Sequence, residues 1–167
     1  SASGNARMKA VLDTNVWLDW LVFDDPSAQE LGRAAEAGSL LLPATVETRE
    51  EWLDVIARPR FRLDDAARAV AIRRFDLHAS IVDIETVDRR SGAAGGSATV
   101  APAASLACRD PDDQKFIELA LATSSPFLVT RDRDLLRLAR SARNRHGLRI
   151  LAPEAADWRD ALLRTRR

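Results

Sequence analysis

Only one cysteine, Cys108, occurs in the 167 residues. That excludes a disulfide framework and a thiolate metal cluster and suits a reducing cytoplasm. Two histidines, His78 and His146, are too few for a zinc site built on imidazoles. No apolar run approaches the ~20 residues that span a bilayer, so no membrane partner is expected. The first strand-like segment is not followed by a glycine-rich turn, against a dinucleotide fold, and there is no P-loop. Asn15 stands where a haloacid-dehalogenase-type phosphatase wants its second aspartate. Formal net charge is zero, so no overall field draws nucleic acid to the chain. Lysine is scarce, with Lys9 and Lys115 alone. From Arg131 onward there are eleven Arg against five acids, a basic footprint for a polyanion. The general preference for Arg over Lys dilutes that signal.

What is present reads as one domain with a sizeable core. Charged residues make up 30% of the chain, ordinary for a globular protein. Residues 1–7 lack the apolar centre of a secretory leader and are expected to be a vector-derived remnant before Met8. Ala10, Val11 and Leu12 form a buried strand that ends abruptly in Asp13, Thr14 and Asn15. Short apolar helix follows at 16–22, then a helix over 28–37 ended by Gly38, and a strand at 40–43. Thr45 caps a helix that Pro59 stops. Asp64 or Asp65 opens another, and residues 81–84 read as a strand. Residues 91–107 are Gly-, Ala- and Ser-rich and read as a loop. Asp110 caps a helix with Pro111 at its first position. A strand at 127–130 ends in Thr130, Arg131 and Asp132. A helix over 135–142, a strand at 148–151 and a helix from Pro153 to Leu163 complete the order. Strands alternating with helices indicate a parallel sheet covered on both faces.

In such a sheet, ligands sit beyond the carboxyl ends of the strands. Asp13 and Asp132 end two strands at that edge. Asp113 lies near the start of the helix that leads into the second of them, and Glu51 is about one turn inside the third helix. Each acid has a plain structural reading: Asp13 and Asp132 as caps, Asp113 as a helix-dipole acid, Glu51 as part of a solvated face with Glu47, Glu50 and Asp54. Four carboxylates meeting from distant points of the chain are harder to explain that way, because like charges raise one another's pKa values. A hard cation with oxygen ligands, Mg2+ or Mn2+, is the natural partner.

The segments 13–15, 45–61 with Glu51 and Arg58-Pro59-Arg60-Phe61, 109–120 (Arg-Asp-Pro-Asp-Asp-Gln-Lys-Phe-Ile-Glu-Leu-Ala) and 129–136 (Val-Thr-Arg-Asp-Arg-Asp-Leu-Leu) occur in an order that resembles PIN-domain proteins. Within that family they are most similar to toxin components of bacterial toxin–antitoxin pairs, the relatives of VapC. The resemblance runs from about Met8 to Pro153. It implies a three-layer α/β/α, Rossmann-like PIN domain over residues 8–167 with a central parallel sheet. It also implies a Mg2+- or Mn2+-dependent ribonuclease. Asp13, Glu51, Asp113 and Asp132 match the metal-binding and catalytic acids, Asn15 and Thr130 the polar residues that orient them. Asp134 is a possible fifth acid and Asp110 a supporting one. An antitoxin partner and a homodimer are implied too. Metal-bound water as nucleophile requires no His, Cys or Ser, in keeping with what this chain lacks.

Arg131 and Arg133, with Arg58, Arg60 and Arg62, are candidates to hold RNA phosphates through the planar guanidinium fork. Trp17, Trp20 and Trp158 are candidates either for a dimer interface or for the core. Two other readings stay open at this point: a housekeeping RNA-processing nuclease, and a catalytically silent RNA-binding module.

Overall fold

A computed structural model describes residues 7–85 and 106–165. Its strands are β1 (Met8–Leu12), β2 (Leu40–Ala44), β3 (Ala79–Ile81), β4 (Phe127–Val129) and β5 (Arg149–Leu151). They form one parallel sheet in the order β3-β2-β1-β4-β5. From β1 the chain therefore steps outward through β2 to β3, then returns to the other side of β1 for β4 and β5. Connections leaving β1 and β4 in opposite directions open a crevice between them at their carboxyl ends, the usual ligand position in such sheets.

The helices are α1 (Thr14–Leu21), α2 (Pro26–Glu36), α3 (Val46–Ile56), α4 (Asp65–His78), α5 (Pro111–Ala122), α6 (Arg133–Leu136), α7 (Ala139–His146) and α8 (Ala156–Thr165). Their starts follow local chemistry. Asp25 caps α2 ahead of Pro26, Thr45 and Thr48 form a reciprocal capping box on α3, and Asp64 caps α4. Alternation along the strands divides the core into two layers. Met8, Ala10, Leu12, Phe127 and Val129 face the cluster of α1, α2, α3 and α4; Val11, Leu128 and Ile150 face α5 and α7. The α/β/α sandwich expected from the alternating pattern is thus present. Among the described residues no helix is long and apolar enough to cross a membrane.

Several expectations change in detail. The third strand lies at 79–81, immediately after α4, rather than at 81–84. Ala79 pairs with Leu42 and Ile81 with Ala44, so the pairing stops before the apolar tail that suggested a longer strand. The helix expected over 135–142 is two, α6 and α7, because Arg137 and Leu138 close the first turn. The final helix begins at Ala156 rather than Pro153. All three tryptophans proposed for an interface are core: Trp17 is 4%, Trp20 1% and Trp158 2% exposed. Trp20 leaves no room for a side chain at position 32, where an added Cβ would lie 2.1 Å from its indole nitrogen. Gly32 is thus set by close packing, not by backbone conformation. The expected loop at 91–107 falls outside the described residues except for 106 and 107. Leu106 is buried against α5, whose Gln114 amide donates to the Leu106 carbonyl at 2.9 Å and accepts from the Cys108 N–H at 2.7 Å.

Candidate metal centre

Pairing of β1 with β4 continues one residue past the strand, since the Asp13 N–H donates to the Val129 carbonyl at 3.0 Å. Asp13 and Thr130 consequently emerge side by side at the crevice. Asp13 is 3% exposed and Thr130 fully buried. Although Asp13 occupies the cap position of α1, its carboxylate forms no capping hydrogen bond. Instead the Thr130 hydroxyl donates to Asp13 Oδ2 at 2.7 Å. The same hydroxyl oxygen accepts the Asp132 N–H at 3.0 Å. One threonine thereby ties the acid after β1 to the acid after β4. Asp13 is thus held mainly from across the sheet, by Thr130.

Asp132 does cap. Its Oδ1 accepts from the N–H groups of Asp134 and Leu135 at 2.8 and 3.3 Å, starting α6. Asp113 stands in the first turn of α5, behind the Asp110 cap and Pro111. Its Oδ2 is buried and has no hydrogen-bond partner. Glu51 comes from α3 and is half-buried, whereas Glu47, Glu50 and Asp54 beside it are exposed. The helix thus turns Glu51 alone of that group inward. Lys115 Nζ lies 2.5 Å from Glu51 Oε2. That oxygen is buried and lacks a hydrogen bond of proper angle, so the contact is one of charge rather than of directed bonding.

The electrostatics join these acids into one group. Burial pushes the Asp113 carboxyl up to about 7, helped by Asp132, Asp13, Asp110 and Glu51 in that order. Burial also raises Asp13, with Glu51 and Asp132 adding to it and the Thr130 hydroxyl and the Asn15 N–H opposing it. Buried carboxylates that destabilise one another's charge need a cation to be ionised together. All the donors are hard oxygens, and two of them, Glu51 Oε2 and Asp113 Oδ2, are buried without a hydrogen bond. A divalent oxygen-seeking ion fits that donor set. As the side chains stand, no group of three or more His, Cys, Asp or Glu among the described residues is arranged to hold an ion.

Of the supporting residues, Asn15 is exposed in the first turn of α1 and Asp134 lies 3.4 Å from Arg137. Arg133, Arg58 and Arg60 are exposed, with Arg60 stacked over Phe61. Arg131 has another job than the one expected of it. Its guanidinium binds Asp19 at 2.8 Å, Glu154 at 3.0 Å and the Ser27 hydroxyl at 2.5 Å, with Asp25 at 3.5 Å. With its donors so engaged it is not a free phosphate ligand. A cavity of about 600 Å³ beside β5 is lined by Arg140, Arg143, Asn144, Arg149 and Asp157 and by none of the four acids. Charge, not hollow volume, identifies the site. Lys115 was the residue that sequence reading missed; its place two positions after Asp113 on an acid-rich helix start was the available signal.

Comparison with known proteins adds a family. The PIN domain family matches residues 9–134, a stretch that contains all four acids. No curated protein matches the chain. One solved structure is similar to it, described as the crystal structure of VapBC2 from Rickettsia felis bound to a DNA fragment from their promoter. It is 12% identical, covering 86% of this chain and 97% of that one at a TM-score of 0.49.

Proposed function

The chain belongs to the PIN-domain family, and from that premise we propose that it is a divalent-metal-dependent ribonuclease, the toxin of a toxin–antitoxin pair. The observation that carries the nuclease reading is the pairing of Asp13 with Asp132 through the Thr130 hydroxyl at the carboxyl edge of the sheet, where burial and the charges of Asp132 and Glu51 push the Asp13 and Asp113 carboxyls up. Two buried acids whose ionised form the fold disfavours, set beside two further carboxylates, have no structural benefit on their own; they gain from a cation. The toxin reading rests on the order of motifs in the sequence, and it brings with it a cognate antitoxin, a homodimer and a cytoplasmic setting.

Asp13, Asp113, Asp132 and Glu51 are the residues that would hold Mg2+ or Mn2+. Such an ion lowers the pKa of a bound water and offsets charge on a phosphodiester under attack. The protein's own contribution is orientation. Thr130 fixes the rotamer of Asp13 and the backbone at Asp132 with one hydroxyl. The α6 cap holds Asp132 Oδ1. Buried strands behind them keep both acids from rotating into solvent. Of the arginines considered above, Arg133, Arg58, Arg60 and Arg62 are exposed and left to meet RNA phosphates.

Asp13→Asn tests the reading, because it keeps shape and the hydrogen bond to Thr130 while removing a charge. Mg2+-dependent cleavage of single-stranded RNA is expected to fall about 1,000-fold, with the melting temperature equal or higher. Cleavage at the wild-type rate in Asp13→Asn, or in EDTA, would sink the proposal.

A further inference from the structure

Lys115 is one of two lysines in the chain. The other, Lys9, donates to the Thr123 carbonyl at 3.1 Å. Lys115 projects from α5 two residues after Asp113, and its side chain is only 17% exposed. Its Nζ lies over the Phe116 ring, 5.5 Å from the ring centre. Among the described residues no other lysine or arginine pairs with any of the four acids. Three of those acids are tethered by protein groups: Asp13 by Thr130, Asp132 by its own helix cap, and Glu51 by Lys115. The first two tethers use one oxygen each and are uncharged. The third places a full positive charge where the acids need one.

We propose that Lys115 is a resident counter-ion that competes with the divalent cation for Glu51. This inference rests on the metal-centre reading above. An ammonium on a flexible four-carbon stem is a movable point charge, unlike a guanidinium fork locked by several bonds. It neutralises part of the cluster and holds Glu51 Oε2. Were a divalent cation held by Asp13, Asp113 and Asp132, the Lys115 ammonium would swing away on its stem and leave Glu51 available as a further oxygen donor. Lys115 therefore sets metal affinity without being a ligand.

The test is Mn2+ binding to the full chain without RNA, followed by the electron paramagnetic resonance signal of free Mn2+. Melting temperature in EDTA and in Mn2+ is measured alongside. Lys115→Met is expected to bind Mn2+ about tenfold more tightly, since the competing charge is gone. It should melt lower than wild type in EDTA and gain more from Mn2+. Lys115→Arg, which keeps the charge, should bind no more tightly than wild type. Equal or weaker Mn2+ affinity in Lys115→Met, with wild type binding normally, overturns the inference. Absence of Mn2+ binding to wild type overturns the metal-centre reading itself and the inference with it. If Lys115→Met does not fold, Lys115→Gln is read in its place with the same expectations.

Discussion

Two groups of acids gather around the adjacent residues Thr130 and Arg131 and have opposite fates. Around Arg131, carboxylates from Asp19, Asp25 and Glu154 close on one guanidinium, which joins the start of α2, the end of β4 and the turn before α8. Around Thr130, Asp13 and Asp132 meet Asp113 and Glu51 with a single ammonium at the rim. In the first group the Ser27 groups and Arg131 hold Asp25 below the ordinary carboxylate range. In the second, burial and neighbouring charge push Asp13 and Asp113 above it. Clustering of acids alone therefore says nothing about function. What separates a brace from a binding site is whether the protein's own countercharge reaches every acid of the group or only one at its rim.

The strongest blow to the brace is Arg131→Met. It leaves three acids without their partner and is expected to cost about 1–2 kcal/mol of stability in urea melts, solvent screening of this half-exposed group included. Asp113→Asn should act in the opposite sense. Removing a charge the fold disfavours is expected to raise stability above pH 7 in EDTA by up to about 1 kcal/mol, discounted for screening. An Arg131→Met protein as stable as wild type would erase the distinction between the two groups.

The pH profiles sharpen it further. A carboxyl raised in the fold stabilises while protonated and loses that contribution as pH climbs through its folded pKa. Stability in EDTA should hence decline from about pH 4 to about pH 7 through Asp113. A carboxyl lowered in the fold, such as Asp25, loses its contribution only as pH falls below the ordinary value of 3.8. Asp113→Asn is expected to flatten the upper window and leave the acid limb in place. An unchanged upper slope in urea melts of Asp113→Asn would assign that window to other groups.

The smallest effect is expected at the exposed arginines. Arg133→Ala should weaken binding of single-stranded RNA a few-fold and reduce the salt slope by about one. Arg131→Met should leave that slope unchanged, because its guanidinium already serves carboxylates. Equal salt slopes for wild type and Arg133→Ala would remove Arg133 from the RNA surface.

Much of the architecture is written locally. Asp110-Pro111, Thr45 with Thr48, and Asp64 start helices through contacts within a few residues, so their positions can be read from spacing. The apolar runs ending in Asp13 and Thr130 reveal two buried strands and the edge at which their acids emerge. Those choices depend on the backbone's own hydrogen bonds and on side chains three or four positions away, and the amino-acid order by itself determined them. Four residues that could serve the same chemistry were distinguishable from their neighbours only in part, as with Glu51 among Glu47, Glu50 and Asp54.

Tertiary structure decided the rest. Arg131 and Arg133 flank Asp132 with identical chemistry, yet one is buried in a brace and the other faces solvent. Trp17, Trp20 and Trp158 became core because β1, α2 and α4 close over them from far along the chain. Lys115 acquired its meaning from Glu51, 64 positions earlier in the sequence. Charge pairing and burial depend on distance in space, which falls off unpredictably with separation along the chain once a parallel sheet reorders its strands.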